Sequence, residues 1–282
     1  GTETVTNAGT LTGTYGWGVQ LQSVGTMTNA TGALATGGYG GVRLSAGGTV
    51  VNAGTLTPLG TASGDGVLFA AGGLLSNAAT GVVQGRSRGA NLYGAAATVL
   101  NSGLIDASLG DGVLLGAGGS ISNDAGATLS GAAFGVYLSG APAIVVNSGI
   151  VSGTANSGIG GTVVAVIANV AGATITGHYS GVGFNGGTPT IVNAGRIQGL
   201  AGSAIQGSKG GTVTNLASGD LSSLDYGVAL SGEQATVDNA GTIAGTNNRG
   251  VYLTAGGAVT NAAWEPSTAM AAWRWWARRA RW

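Results

Sequence analysis

The chain has 282 residues, 58 of them glycine, with 44% hydrophobic but only 7% charged side chains and a formal net charge of zero. Glycine without strict third-position spacing excludes collagen, and the hydrophobic content excludes a disordered Gly/Ser linker. Zero net charge excludes the basic field that nucleic acid requires, and the absence of cysteine excludes disulfides and thiolate chemistry.

From the start the chain restates Thr4-Val5-Thr6-Asn7-Ala8-Gly9-Thr10-Leu11-Thr12-Gly13 about every 23 residues. One slot is held by Asn7, Asn29, Asn52, Asn77, Asn101, Asn123, Asn147, Asn169, Asn193, Asn215, Asn239 and Asn261, with none missing. Two residues before each stands an aliphatic side chain or methionine, from Val5 and Met27 to Val259. A unit this short cannot bury a core alone, so it must stack on copies of itself as a solenoid.

After the asparagine two forms alternate strictly. In one, glycine follows at the second position, as in Asn7-Ala8-Gly9 and Asn147-Ser148-Gly149, and the next aliphatic is Leu11, Leu56, Ile105, Val151, Ile197 or Ile243. In the other the turn is one or two residues longer and the aliphatic is Leu34, Val83, Leu129, Ile175 or Leu221. The ancestral unit is thus a pair of coils. The corner glycines are expected to supply positive φ, which Gly adopts without strain.

A third element is Gly-Val-x-Leu, as in Gly41-Val42-Arg43-Leu44, Gly112-Val113-Leu114-Leu115 and Gly135-Val136-Tyr137-Leu138. Its apolar residues alternate with period two, the spacing of a strand with one buried face. The expected fold is all-β, a parallel β-helix of about 11 coils of 22–25 residues over 1–263, with three short strands per coil. The strand spacing implies a rod of roughly 53 Å. The aligned asparagines form a ladder of amide-to-carbonyl bonds. Two coils lack the third-strand pair, at Ile159-Gly160-Gly161 and Ile205-Gln206-Gly207, so early amide exchange is expected at 157–161 and 203–207.

Chemically distinctive side chains gather in the turn before the third strand. Candidate ligand-binding residues are Trp17, Tyr39, Asp65, Arg88, Asp111, Phe134, Tyr179, Tyr226 and Arg249, expected in one longitudinal stripe. Asp65, Arg88 and Asp111 share a slot in consecutive coils. An arginine between two carboxylates holds both ionised and lowers their pKa, the reverse of what a general acid needs, so a structural ion-pair ladder is expected. His178, the only histidine, has no partner for a metal site or triad and is expected in an exposed loop. No metal or cofactor is expected. Thr-x-Thr rows such as Thr4/Thr6 and Thr26/Thr28 resemble an ice-binding face, but Leu74, Leu100, Ile144, Val146 and Val166 break the lattice.

The segment 264–282 departs from the repeat, with five of the six tryptophans and four arginines. A membrane-surface segment and a capping helix are both compatible with it. Its abrupt change of composition favours non-native sequence.

The repeat Val-x-Asn-x-Gly-x-Ile/Leu-x-Gly followed by Gly-Val-x-Leu resembles the right-handed β-helix passengers of Gram-negative autotransporters and related surface adhesins, over about 4–263. The resemblance implies a right-handed helix, an outer-membrane β-barrel translocator as partner, and an extracellular or cell-surface location, attached to the outer membrane in the full-length protein. It further implies a non-enzymatic adhesin or stalk that meets glycans or proteins of host or neighbouring cells. The alternative is a polysaccharide-binding or polysaccharide-processing β-helix, with ice binding a minor alternative. Because Gly1 opens almost inside a repeat, the domain is expected to be a piece of a longer passenger.

Overall fold

The computed structural model describes residues 1–60 and 63–262, so the Trp/Arg-rich segment 264–282 lies outside the described residues. The described chain is a right-handed parallel β-solenoid of about eleven coils, with three strands per coil. The first sheet has twelve strands, from Glu3–Asn7 to Gly257–Asn261, and the second and third have eleven each. Every neighbouring pair is parallel, and each strand pairs with its counterparts one coil before and after, so hydrogen bonds run along the rod axis.

Alternation of apolar and small polar residues closes each coil around an apolar interior. Met27, Val50, Leu75 and Val99 form a fully buried column under the first sheet; Leu56, Val83 and Ile105 do the same under the second. In the third, both apolar members of Gly-Val-x-Leu point inward, as at Val42 and Leu44. Each such side chain contributes about 1.5–3 kcal/mol on burial, which no isolated coil could collect.

The asparagine column runs unbroken at the corner after the first sheet. Each Nδ2 donates to the Oδ1 of the next asparagine, at 2.8 Å from Asn7 to Asn29 and at 2.9 Å from Asn147 to Asn169. The same amide also reaches a corner carbonyl, four residues on in the longer form (Asn77 to Gly81, 3.0 Å) and two on in the shorter (Asn52 to Gly54, 3.0 Å). The amides from Asn29 through Asn215 are buried yet bonded, so this polar column costs little in the interior.

The register corrects two details of the sequence reading. The longer form is always two residues longer: Ala35, not Leu34, aligns with Leu11 and is fully buried, while Leu34 pairs with Thr10 and is half-buried. The two extra residues fold into a turn closed by a backbone bond, such as Ala33 N–H to Ala30 O at 3.0 Å, and the chain rejoins the common register. Nor is positive φ the reason for glycine in Asn-x-Gly. Gly54 and Gly149 have ordinary φ, but a β-carbon there would strike the carbonyls of the previous coil, at Ala33 and Ala127. Positive φ occurs in some longer turns, such as Gly32 at 77°, and at the corner entering the first sheet, where Gly48 and Gly119 have φ of 133° and 124°.

The two thin coils are also repaired. A β-carbon on Gly161 would lie 2.8 Å from Phe184 Cε1, and one on Gly207 would lie 2.8 Å from Leu230 Cδ2. Side chains of the following coil fill both vacancies, and Ile159 and Ile205 remain fully buried. The missing side chains are thus replaced from the next coil, which weakens the reason to expect early exchange there.

Candidate functional site

The outer face of the third sheet carries the chemistry. The strand register defines one slot per coil, occupied in order by Trp17, Gly40, Asp65, Arg88 and Asp111. Counting two residues back from the aligned valines and isoleucines continues it through Phe134, Ser157, Ser180, Ser203, Tyr226 and Arg249. Seven of the nine predicted binding residues therefore lie in one row. Tyr39 and Tyr179 do not. They stand one residue earlier, with Gly40 and Ser180 in the slot, and are 62% and 58% exposed. His178, beside Tyr179, is exposed as expected and meets that ring edge-on at 5.0 Å.

Beside the slot runs a second row, formed by the variable residue of Gly-Val-x-Leu. Gln20, Arg43, Leu68, Asn91, Leu114, Tyr137, Gly160, Gly183, Gln206, Ala229 and Tyr252 follow one another in register. Side chains of the slot repeatedly lean across this row one coil further on: Asp65 meets Asn91, the Phe134 ring lies over Gly160, Ser157 lies over Gly183 and Ser180 bonds Gln206. Tyr226 stacks on Tyr252 at 5.2 Å, with the Arg249 guanidinium 5.0 Å from the Tyr252 ring centre. The sequence reading missed this row because Gly-Val-x-Leu draws the eye to its apolar members. Period-two alternation already required x to face outward.

The charged coils do not form the expected three-membered ladder. Arg88 Nε faces Asp111 Oδ2 at 3.6 Å, a Coulombic contact too long for a hydrogen bond. Asp65 instead accepts a hydrogen bond from Asn91 Nδ2 at 2.8 Å. The expected direction of the pKa shift is also reversed. Asp65 and Asp111 are 8% and 9% exposed, and burial raises both carboxyls above the ordinary value of 3.8. The Asn91 hydrogen bond and the Arg88 charge oppose the shift at Asp65, and the Arg88 charge opposes it at Asp111, but desolvation outweighs them.

The chain matches no family model, no curated protein and no solved structure.

A shallow, open cleft of about 470 Å³ lies along this face. Phe134 and Tyr137, with ring centres 4.9 Å apart, wall one end, and Gln206 and Ser208 bound the other. The cleft lies where the outward row drops to Gly183, before Gln206, while the Phe134 ring already covers Gly160 one coil earlier. Among the described residues no three His, Cys, Asp or Glu side chains gather, so no metal site is assigned.

Proposed function

We propose that this chain is a non-catalytic rod, secreted or held at a cell surface, that acts as an adhesin or stalk. One observation carries the reading: a single asparagine column ties about eleven coils into one continuous stack, with a surface of small neutral side chains. Each coil supports its neighbours through equivalent contacts, which suits a spacer that carries a lateral binding face. The likeness of its repeat to autotransporter passengers makes an outer-membrane β-barrel translocator the partner for export, and glycans or proteins of other cells the partners for contact. Protease shaving of intact source cells, read with an antibody against the chain, tests this. Loss of signal from the cells, or its presence in the medium, is expected. A chain protected until lysis would overturn the reading.

A second reading, polysaccharide processing, is favoured by one feature, the raised pKa of Asp65 and Asp111 in a single row. An upward shift is the direction in which a general acid's carboxyl is tuned. Release of new reducing ends from a polysaccharide, abolished in Asp65→Asn or Asp111→Asn, would place this reading first.

A further inference from the structure

We infer that the cleft between Tyr137 and Gln206 binds a short segment of a neutral oligosaccharide, lying along the rod axis. The inference rests on the surface-display reading and adds the place and chemical class of the ligand. The cleft is lined by aromatic rings, hydroxyls, amides and glycine, with no charged residue, whereas Asp65, Arg88 and Asp111 lie outside it on the same face. A phosphate, an acidic peptide or a nucleic acid would find no counter-charge here.

The cleft also pairs flat apolar surface with polar edges. The Phe134 ring is laid against the sheet over Gly160, and Tyr137 is tilted against it by 42°. Together they form a rigid platform with a phenolic hydroxyl at its rim. A pyranose ring has the matching character, an apolar C–H face bounded by hydroxyls. Amide groups of Asn156 and Gln206 stand within the same cleft to donate to and accept from those hydroxyls.

The cleft floor also presents a hydroxyl. Ser157 lines the cleft, and its Oγ lies 2.6 Å from where a β-carbon on Gly183 would sit. A hydroxyl at the cleft floor can both donate to and accept from a ligand hydroxyl. Ser180, one coil on, is spent on Gln206 at 3.2 Å, which fixes that amide at the far wall. The outward row from Tyr137 to Gln206 spans three strand spacings, roughly 14 Å, so the ligand is a chain segment and not a single sugar.

The test uses the full chain on an array of neutral oligosaccharides built from β-linked glucose, xylose, mannose and N-acetylglucosamine, with a heparin fragment as the charged control. At least one neutral oligosaccharide should be retained. Gly183→Gln fills the cleft floor; the fold should accept it, because Gln206 and Gln20 hold the same row and Gly183 has no positive φ. It should weaken retention by about tenfold or more, as should Tyr137→Ala, a change of at least ~1.4 kcal/mol. Ser157→Ala, which only removes a hydroxyl, should weaken it less, and unchanged circular dichroism should accompany all three. Retention of no neutral oligosaccharide, retention of heparin alone, or retention indifferent to both Gly183→Gln and Tyr137→Ala would overturn the assignment. Protease shaving reports separately on surface display, so either idea can fall while the other stands.

Discussion

Replacing Asn147 by alanine probes the column that ties the coils together. Asn147 is fully buried; its Nδ2 donates to Asn169 Oδ1 at 2.9 Å and to Gly149 O and Thr174 O, each at 3.1 Å. Its Oδ1 accepts from Asn123 Nδ2 at 2.8 Å and from Gly149 N–H at 3.2 Å. Asn123 keeps alternatives in Ile150 O and Ala127 O, but Asn169 Oδ1 loses its donor. An orphaned buried acceptor costs about 1–3 kcal/mol and each net hydrogen bond lost about 0.5–1.5 kcal/mol, so Asn147→Ala should destabilise by about 3–5 kcal/mol. Asn261 ends the described column, is exposed and receives a single bond, from Asn239 at 2.7 Å, so Asn261→Ala should stay within about 0.5 kcal/mol. Urea denaturation followed by circular dichroism measures both, and hydrogen exchange should place the Asn147 defect in the coils on either side, since a solenoid's losses are local. A loss below about 1 kcal/mol at Asn147, or equal losses at the two sites, would refute the view that the internal amides hold the stack.

Phe184 serves its own coil and the vacancy over Gly161. Wild-type amides at Ile159–Gly161 should therefore exchange no sooner than those at Val113–Leu115, whereas Phe184→Ala should lose about 3–5 kcal/mol and open Ile159–Gly161 to exchange. Asp65 and Asp111 have folded pKa values above 3.8, so their contribution to stability is fully present below that pH and is lost as pH rises through the raised values. Thermal melts across that window should show this decline, and Asp65→Asn should flatten it; an unchanged slope would remove Asp65 from the account. Gly119 has φ of 124°, and a β-carbon there would strike Ala97 O, so Gly119→Ala should cost about 1–3 kcal/mol although alanine is native at the aligned Ala97 and Ala143. A melting temperature unchanged in that variant would show that the corner can relax.

Much of this architecture follows from the order of residues alone. Twelve asparagines at a common spacing, each two residues after an aliphatic, leave no way to bury those aliphatics except by stacking coil on coil. Period-two alternation in Gly-Val-x-Leu sets which side chains of the third strand turn inward. Register at the longer corner was less legible, because Leu34 is the more apolar residue but Ala35 is the one the interior holds. A two-residue insertion can be seen in a sequence, but which residue re-enters the core depends on how the turn closes.

The site divides along the same line. That distinctive residues share a slot is a matter of counting, and the count places Asp65, Arg88 and Asp111 together. What they do to one another is decided by burial and by side chains from other coils: Asn91 takes Asp65, and desolvation outweighs the charge of Arg88. The cleft is likewise a property of the stack. Gly183 is unremarkable within its own coil and becomes a floor only because Tyr137 and Gln206 stand to either side of it along the same row. A repeat fixes what lies within one coil, where neighbours in sequence are neighbours in space. Contacts along the rod join residues about 23 positions apart, so only the stacked structure decides electrostatics and surface shape there.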